Sequence, residues 1–260
     1  MVGMSEPLLQ ITELNKSFGP VHVLHDVEFT APAGEVTALV GDNGAGKSTL
    51  VKCIAGIHGA DSGTVRFRGE SVHLRGPKDA AALGIEVVYQ DLALADNLDI
   101  VQNMFLGRER GRPWLLDEAS MEEAARRTLA SLSVRTVTSV RTPVSALSGG
   151  QRQTVAIAKA VLWNSTLVLL DEPTAALGVA QTRQVLDLVR RLAEQGLAVV
   201  LISHNLADVF EVADRIAVLY LGRMAAQVRA AEVTQSQVVE LITAGRSGEL
   251  GLARPESAVL

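Results

Sequence analysis

Gly41-Asp42-Asn43-Gly44-Ala45-Gly46-Lys47-Ser48 stands between an apolar run, Val36–Val40, and a stretch of helix-forming composition, Lys47–Ala55. This is the pattern of a P-loop in the setting it needs, a strand before and a helix after. Glycines at 41, 44 and 46 let backbone N–H groups turn inward around phosphate oxygens, with Asn43, Ala45 and Thr49 in the same cradle. The helix that follows adds the positive end of its dipole. Lys47 can reach the terminal phosphates of a nucleotide, and Ser48 can offer its hydroxyl to Mg2+. A glycine-rich surface turn would need neither the strand nor the helix. Downstream, Leu167-Val168-Leu169-Leu170-Asp171-Glu172 reads as a buried strand ending in two acids. On its own that is an ordinary solvated pair. Beside a P-loop, Asp171 is placed to hold Mg2+ through water, and Glu172 to orient or deprotonate an attacking water.

A second anion-seeking feature lies between the two. Leu147-Ser148-Gly149-Gly150-Gln151 has the spacing of a capping box opening a helix that runs to about Trp163. Bare amides at Gly149 and Gly150, a hydroxyl and a helix dipole suit a terminal phosphate. The P-loop already serves its own chain, so this helix points to a nucleotide held by a neighbour.

The elements that must position these residues follow an α/β rhythm. Val21–Thr30 and Glu35–Val40, separated by Ala31-Pro32-Ala33-Gly34, are expected to be two strands of a meander. Gly63–Arg68 and Ser71–Leu74, split by Gly69, predict a hairpin. Ser120-Met121-Glu122-Glu123 predicts a capping box at the start of a helix toward Leu132, and Gly107–Pro113 a polar surface connector. Val185, Leu188, Val189 and Leu192 fall at helical spacing, with Gly196 placed to stop the helix. Leu197–Ile202 predicts the next buried strand, and Ile216–Tyr220 with Met224–Val228 a hairpin turned at Gly222. Arg246–Leu260 has little periodicity and is expected to be mobile.

Composition narrows the class. With 48% hydrophobic and 20% charged residues in 260, the chain can bury a sizeable core. A net charge of −5 offers no global basic surface, and 3% aromatics is lean for base stacking, so no nucleic-acid partner is expected. The lone Cys53 excludes an internal disulfide framework and reads as a small core residue. No window holds the roughly 18 apolar residues of a membrane helix, and Met1–Gln10 lacks a basic region followed by an apolar stretch. The expectation is a soluble intracellular protein.

In their order, Gly41–Ser48, Leu147–Gln151 and Leu167–Glu172 resemble the ATPase subunit of ABC transporters, over residues 8–230. The resemblance implies an α/β fold: a P-loop NTPase core of mixed sheet, flanking helices and an antiparallel β subdomain, plus a mostly helical signature subdomain. It implies one ABC ATPase domain over 1–260, with 8–90 and 163–230 as the nucleotide-binding core. Residues 91–162 would be the helical signature subdomain, and 231–260 a C-terminal helix and mobile tail. It implies ATP and Mg2+ as cofactors and a head-to-tail dimer sandwiching two ATP molecules, with Ser148 and Gly150 reaching the other subunit's γ-phosphate. Phe18, in Ser17-Phe18-Gly19, resembles the aromatic residue that stacks on adenine. Gln90 resembles the glutamine that touches Mg2+ and the attacking water while sensing the membrane partner. His204 resembles the switch histidine of the γ-phosphate. Catalysis would then rest on Glu172, His204, Gln90 and Lys47, and metal binding on Ser48, Gln90 and Asp171. His22, His25, His58 and His73 have no such context and read as surface or strand residues. One position departs: where most of the family carries Asp after Ala-Leu, this chain has Gly178. A glycine cannot make the carboxylate contacts that an Asp makes across the dimer.

Tyr89–Leu94, Asn103–Glu109 and Glu172–Gly178 resemble the carbohydrate-import branch, in particular importers of monosaccharides. Many of these fuse two ATPase domains. The absence of an internal repeat here implies the single-domain form acting as a homodimer or paired subunit. Partners implied are permease subunits docking on Asp91–Leu106 and, indirectly, a solute-binding protein, with the chain peripheral at the cytoplasmic face of the inner membrane. A soluble ABC ATPase of DNA repair or translation and a nucleotide-binding regulatory module are the alternatives.

Overall fold

A computed structural model describes residues 7–112, 114–132, 137 and 139–252. β1 (Leu9–Phe18) and β2 (Val21–Ala31) pair as an antiparallel hairpin, joined on β1's other edge by β4 (Ser62–Phe67) and then β5 (Glu70–Val72). The β4–β5 hairpin is the one expected around Gly69. β3 (Val36–Gly41) does not continue β2 as a meander; it enters a second sheet. The reason lies in burial. Val36 to Val40 are buried on both faces, as a central parallel strand must be, whereas the second half of β2 alternates buried with exposed or half-buried positions, as a one-faced antiparallel strand does.

α1 (Lys47–Ile54) follows β3, α2 (Pro77–Ala82) opens on its proline, and β6 (Ile85–Val88) joins the second sheet. A mostly helical stretch comes next: α3 (Ile100–Phe105), α4 (Glu118–Ser131) and α5 (Gly149–Val161). Within it, β7 (Gly111–Arg112) and β8 (Leu115–Leu116) form a small hairpin where a plain connector was expected; Pro113 lies outside the described residues. Trp114 stands fully exposed in its turn, with Leu115 and Leu116 also exposed. α4 starts earlier than its predicted capping box. Asp117 is the N-cap and its carboxylate accepts the Ser120 N–H at 3.1 Å, leaving Ser120 inside the first turn. A carboxylate facing the positive helix end is a better cap acceptor than the Ser120 hydroxyl.

β9 (Leu167–Asp171), α6 (Val179–Glu194), β10 (Ala198–Ile202), α7 (Leu206–Val212), β11 (Arg215–Tyr220) and β12 (Arg223–Arg229) complete the second sheet and its cover. α8 (Gln235–Ala244) follows, then β13 (Arg246–Ser247) and β14 (Leu250–Gly251). The start of the stretch expected to be mobile is therefore ordered as a hairpin. Ser247 Oγ donates to Glu240 Oε2 at 2.5 Å, and Leu250 and Leu252 pack on the α8 core. Residues 253–260 of that expectation lie outside the described ones.

The second sheet runs β12-β11-β3-β10-β9-β6, parallel except for β12. Alternation within β9 shows how it is held. Leu167 and Leu169 face the four-stranded sheet and α1, while Val168 and Leu170 face the helices α3 to α6. All four are fully buried, each stabilising by about 1.5–3 kcal/mol. This two-sided clamp fixes the strand end that carries Asp171.

Candidate functional site

β3, β10 and β9 lie side by side and end together, so Gly41, Ile202 and Asp171 share one edge of the sheet. Carboxyl ends of parallel strands are where α/β folds bind ligands. The loop leaving β3 is built by backbone contacts: Ala45 N–H donates to Asp42 O at 3.1 Å, and Gly222 N–H donates to Ala45 O at 3.0 Å. Gly41 has φ +156°, and a Cβ there would lie 2.3 Å from Leu219 O, so the loop can leave β3 only through a glycine. α1 begins at Gly46 without a side-chain cap, which leaves its first-turn amides to an incoming anion.

Lys47 Nζ donates to Gly41 O at 2.8 Å and Asp42 O at 2.9 Å, folding the ammonium back over the loop. Burial lowers its pKa from the ordinary lysine value; Glu172, Asp42 and Asp171 pull the other way. Asp171 is half-buried, and burial first, then the Glu172 charge, raise its carboxyl above the usual range, opposed by Lys47 and Lys52. Burial and the same Asp171 raise the Tyr89 phenol. Three carboxylates, Asp42, Asp171 and Glu172, act here against two ammonium groups, Lys47 and Lys52, which leaves a local demand for positive charge.

A cavity of about 380 Å3 gathers Asn43, Gly44, Gly46, Lys47, Ser48, Thr49, Gln90, Asp171 and Glu172. An adjoining one of about 510 Å3 holds Gly41, Asn43, Gln90, Glu172 and His204. Ser48, Gln90 and Asp171 thus offer a hydroxyl, an amide oxygen and one carboxylate to the same space. Among the described residues no group of three or more His, Cys, Asp or Glu side chains is arranged to hold a metal ion. The donor set fits instead an ion that arrives with phosphate oxygens and water. Glu172 has φ +51°, its N–H donates to Ile202 O at 2.9 Å, and His204 Nδ1 lies 2.6 Å from its Oε2.

Other expected residues stand apart. Phe18, 43% exposed at the end of β1, lines neither cavity; its ring meets His58 edge-on at 5.1 Å, and Lys16 Nζ lies 5.4 Å from its centre. Ala45 is buried within the loop. Ser148, Gly149, Gly150 and Gln151 also line neither cavity. The capping box expected there is present, with Gln151 N–H donating to Ser148 Oγ at 3.4 Å and Ser148 N–H to Gln151 Oε1 at 2.9 Å. A Cβ at Gly150 would lie 3.0 Å from Gln181 Cβ, so the start of α5 packs on α6 of its own chain. Gly178 caps α6 in an extended conformation with open space around it.

The sequence reading missed three polar anchors. Asn103 is fully buried; its amide donates to Ala95 O, Leu98 O and Asp99 O and accepts the Ala95 N–H at 2.7 Å, binding the segment after Gln90 to α3. Arg152 Nη1 pairs with Asp96 at 2.9 Å, fastening that segment to α5. Asp208, 7% exposed, accepts from Thr174 Oγ1 at 2.7 Å and from Asn205 Nδ2 at 2.9 Å. In sequence, Asp208 looks like an ordinary acid in the first turn of a helix. Nothing in its spacing sets it apart there, because both bonds form only once the residue is buried.

Residues 24–175 match the ABC transporter family. The chain is 44% identical to a xylose/arabinose import ATP-binding protein of Sulfolobus acidocaldarius, over 94% of this chain and 97% of that one. It is 44% identical to a fructose import ATP-binding protein of Rhizobium meliloti, over 93% and 95% of the two chains. Against a ribose import ATP-binding protein of Chromobacterium violaceum, identity is 39% over 91% of this chain but 47% of the relative's length. Among solved structures, a nucleotide-free ATP-binding cassette from an ABC transporter superposes with a TM-score of 0.81 at 26% identity, covering 91% of this chain and 98% of that one.

Proposed function

The chain belongs to the ABC transporter family, and from that premise we propose that it is the ATP-hydrolysing subunit of a sugar importer. Its work is to close as a dimer on ATP and so drive a membrane permease. The observation that carries the reading is the convergence of Lys47, Ser48, Gln90, Asp171 and Glu172 on one cavity at the end of the parallel strands. Identity of 44% to two sugar import ATP-binding proteins of nearly the same length supports the substrate class, a monosaccharide. It argues against DNA repair, translation and a purely regulatory role.

In this reading Lys47 and the amides of residues 41–49 bind the ATP phosphates, and Phe18 stacks on adenine. Ser48, Gln90 and Asp171 hold Mg2+, which neutralises phosphate charge when bound. Glu172 orients and deprotonates the attacking water, and His204 contacts the γ-phosphate. Because Ser148, Gly149, Gly150 and Gln151 line neither cavity of their own chain, they serve the nucleotide of a second copy. The functional unit is then a homodimer, peripheral at the cytoplasmic face of the inner membrane, with a solute-binding protein acting through the permease. Residues 8–90 and 163–230 form its nucleotide core, 91–162 its signature subdomain and Asp91–Leu106 its permease contact. None of the helices among the described residues is long and apolar enough to cross a membrane.

Light scattering of wild type and Glu172→Gln with ATP and Mg2+ tests this. A dimer accumulates in the variant and not in wild type, while phosphate release falls by about 10²-fold or more. A variant that turns over ATP at the wild-type rate, or that stays monomeric with ATP bound even beside its permease, overturns the reading.

A further inference from the structure

We propose that Asp208 is a positioning residue that holds Glu172 and His204 in register, an inference that rests on those two residues acting in ATP hydrolysis. The two leave neighbouring strands, β9 and β10, on loops that then diverge into α6 and α7. Asp208 ties the loops together just beyond the point of divergence. Its Oδ2 accepts from Thr174 Oγ1 at 2.7 Å, two residues past Glu172, and its Oδ1 accepts from Asn205 Nδ2 at 2.9 Å, next to His204. Asn205 is itself fixed, its N–H donating to Ser203 Oγ and its Oδ1 accepting the Ala207 N–H, each at 3.0 Å.

Both partners of Asp208 donate, so both of its oxygens must accept. A carboxylate meets that demand; an amide in its place turns a donor toward one donor. Asp208 is 7% exposed and lines neither cavity. Its two side-chain hydrogen bonds go one to each loop. Glu172 needs such support, because its φ of +51° is a conformation that non-glycine residues rarely adopt and that persists only where the surroundings enforce it. The β9–β10 ladder ends at Ile202 and Asp171; beyond it the Glu172 N–H to Ile202 O bond, at 2.9 Å, and the Asp208 tie carry that alignment on to the 2.6 Å contact between His204 Nδ1 and Glu172 Oε2.

Steady-state ATPase assays, ATP titration and melting curves on Asp208→Asn, Thr174→Val and Thr174→Ser test the assignment. Asp208→Asn and Thr174→Val lower kcat, up to about 100-fold, with the ATP dissociation constant and melting temperature near wild type. Thr174→Ser, which keeps the hydroxyl, restores the rate. Combined with His204→Ala, Asp208→Asn adds little, since both break the same unit. Wild-type kcat in both Asp208→Asn and Thr174→Val overturns the proposal, as does a loss of ATP affinity and melting temperature in step with kcat. Full additivity with His204→Ala also overturns it. If Glu172→Gln alone keeps wild-type turnover, the underlying reading of the site has failed instead.

Discussion

At the scale of single residues, the phosphate loop is a problem of backbone clearance before it is one of charge. Gly41 and Gly44 both have positive φ, but they differ in surroundings: a side chain at 41 meets Leu219 O at 2.3 Å, while the space around 44 is open. Gly41→Ala should therefore cost about 3 kcal/mol or more, because β3 and β11 must separate, and Gly44→Ala about 1 kcal/mol. Chemical denaturation of the two variants, compared with wild type, measures the difference directly. Equal losses would mean that backbone conformation alone, rather than the β11 contact, imposes the glycine. That Lys47, Ser48, Asp171 and Glu172 gather at one cavity was legible in the sequence, because they sit at fixed spacing beside strand ends. Asp208, Thr174 and Asn103 were not, because their roles come from hydrogen bonds made only after burial. An isolated polar residue in a helical stretch carries no period and no spacing that marks it.

Secondary-structure elements add a second kind of dependence, on charge that bridges them. Arg141 pairs with Asp99 at the cap of α3 and with Glu118 and Glu122 on α4, tying the loop before α5 to both helices. Hydrogen bonds from Arg126 first and Arg141 second hold the Glu122 carboxyl below its ordinary value. A carboxyl depressed in the folded state contributes stability above its unfolded value, near pH 4, and loses that contribution as pH falls through the folded value. Melting temperature should thus decline on acidification below about pH 4, and Glu122→Gln should flatten that limb while lowering stability at neutral pH. A Glu122→Gln curve parallel to wild type would remove Glu122 as the source. Elements with long apolar periods, such as α6 with Val185, Leu188, Val189 and Leu192, were legible because a buried stripe leaves its spacing in the sequence. Pairing partners were not: β2 and β3 are neighbours in the chain and belong to different sheets, a fact decided by which faces are buried. The β7–β8 and β13–β14 hairpins escaped notice because two-residue strands are too short to show alternation.

For the molecule as a whole, the consequential arrangement is that the start of α5 lies outside the cavity that gathers Lys47 and Ser48. If each active site joins one chain's Lys47 to another's Ser148, Lys47→Ala and Ser148→Arg inactivate as homodimers through the same two sites. Mixing the two variants gives heterodimers with one site doubly damaged and the other intact. ATPase activity should then reappear on mixing, and a mixture as inactive as its components would place the whole site within one chain. The β7–β8 hairpin has a consequence of a different kind. Of the two tryptophans in the chain, Trp114 stands in open solvent, while Trp163 packs edge-on to Phe105 at 5.4 Å with Arg108 5.2 Å from its ring. The protein thus carries its own label-free optical pair. Acrylamide should extinguish the red-emitting member first, and any surface that closes over the hairpin will announce itself as a blue shift in that one emission.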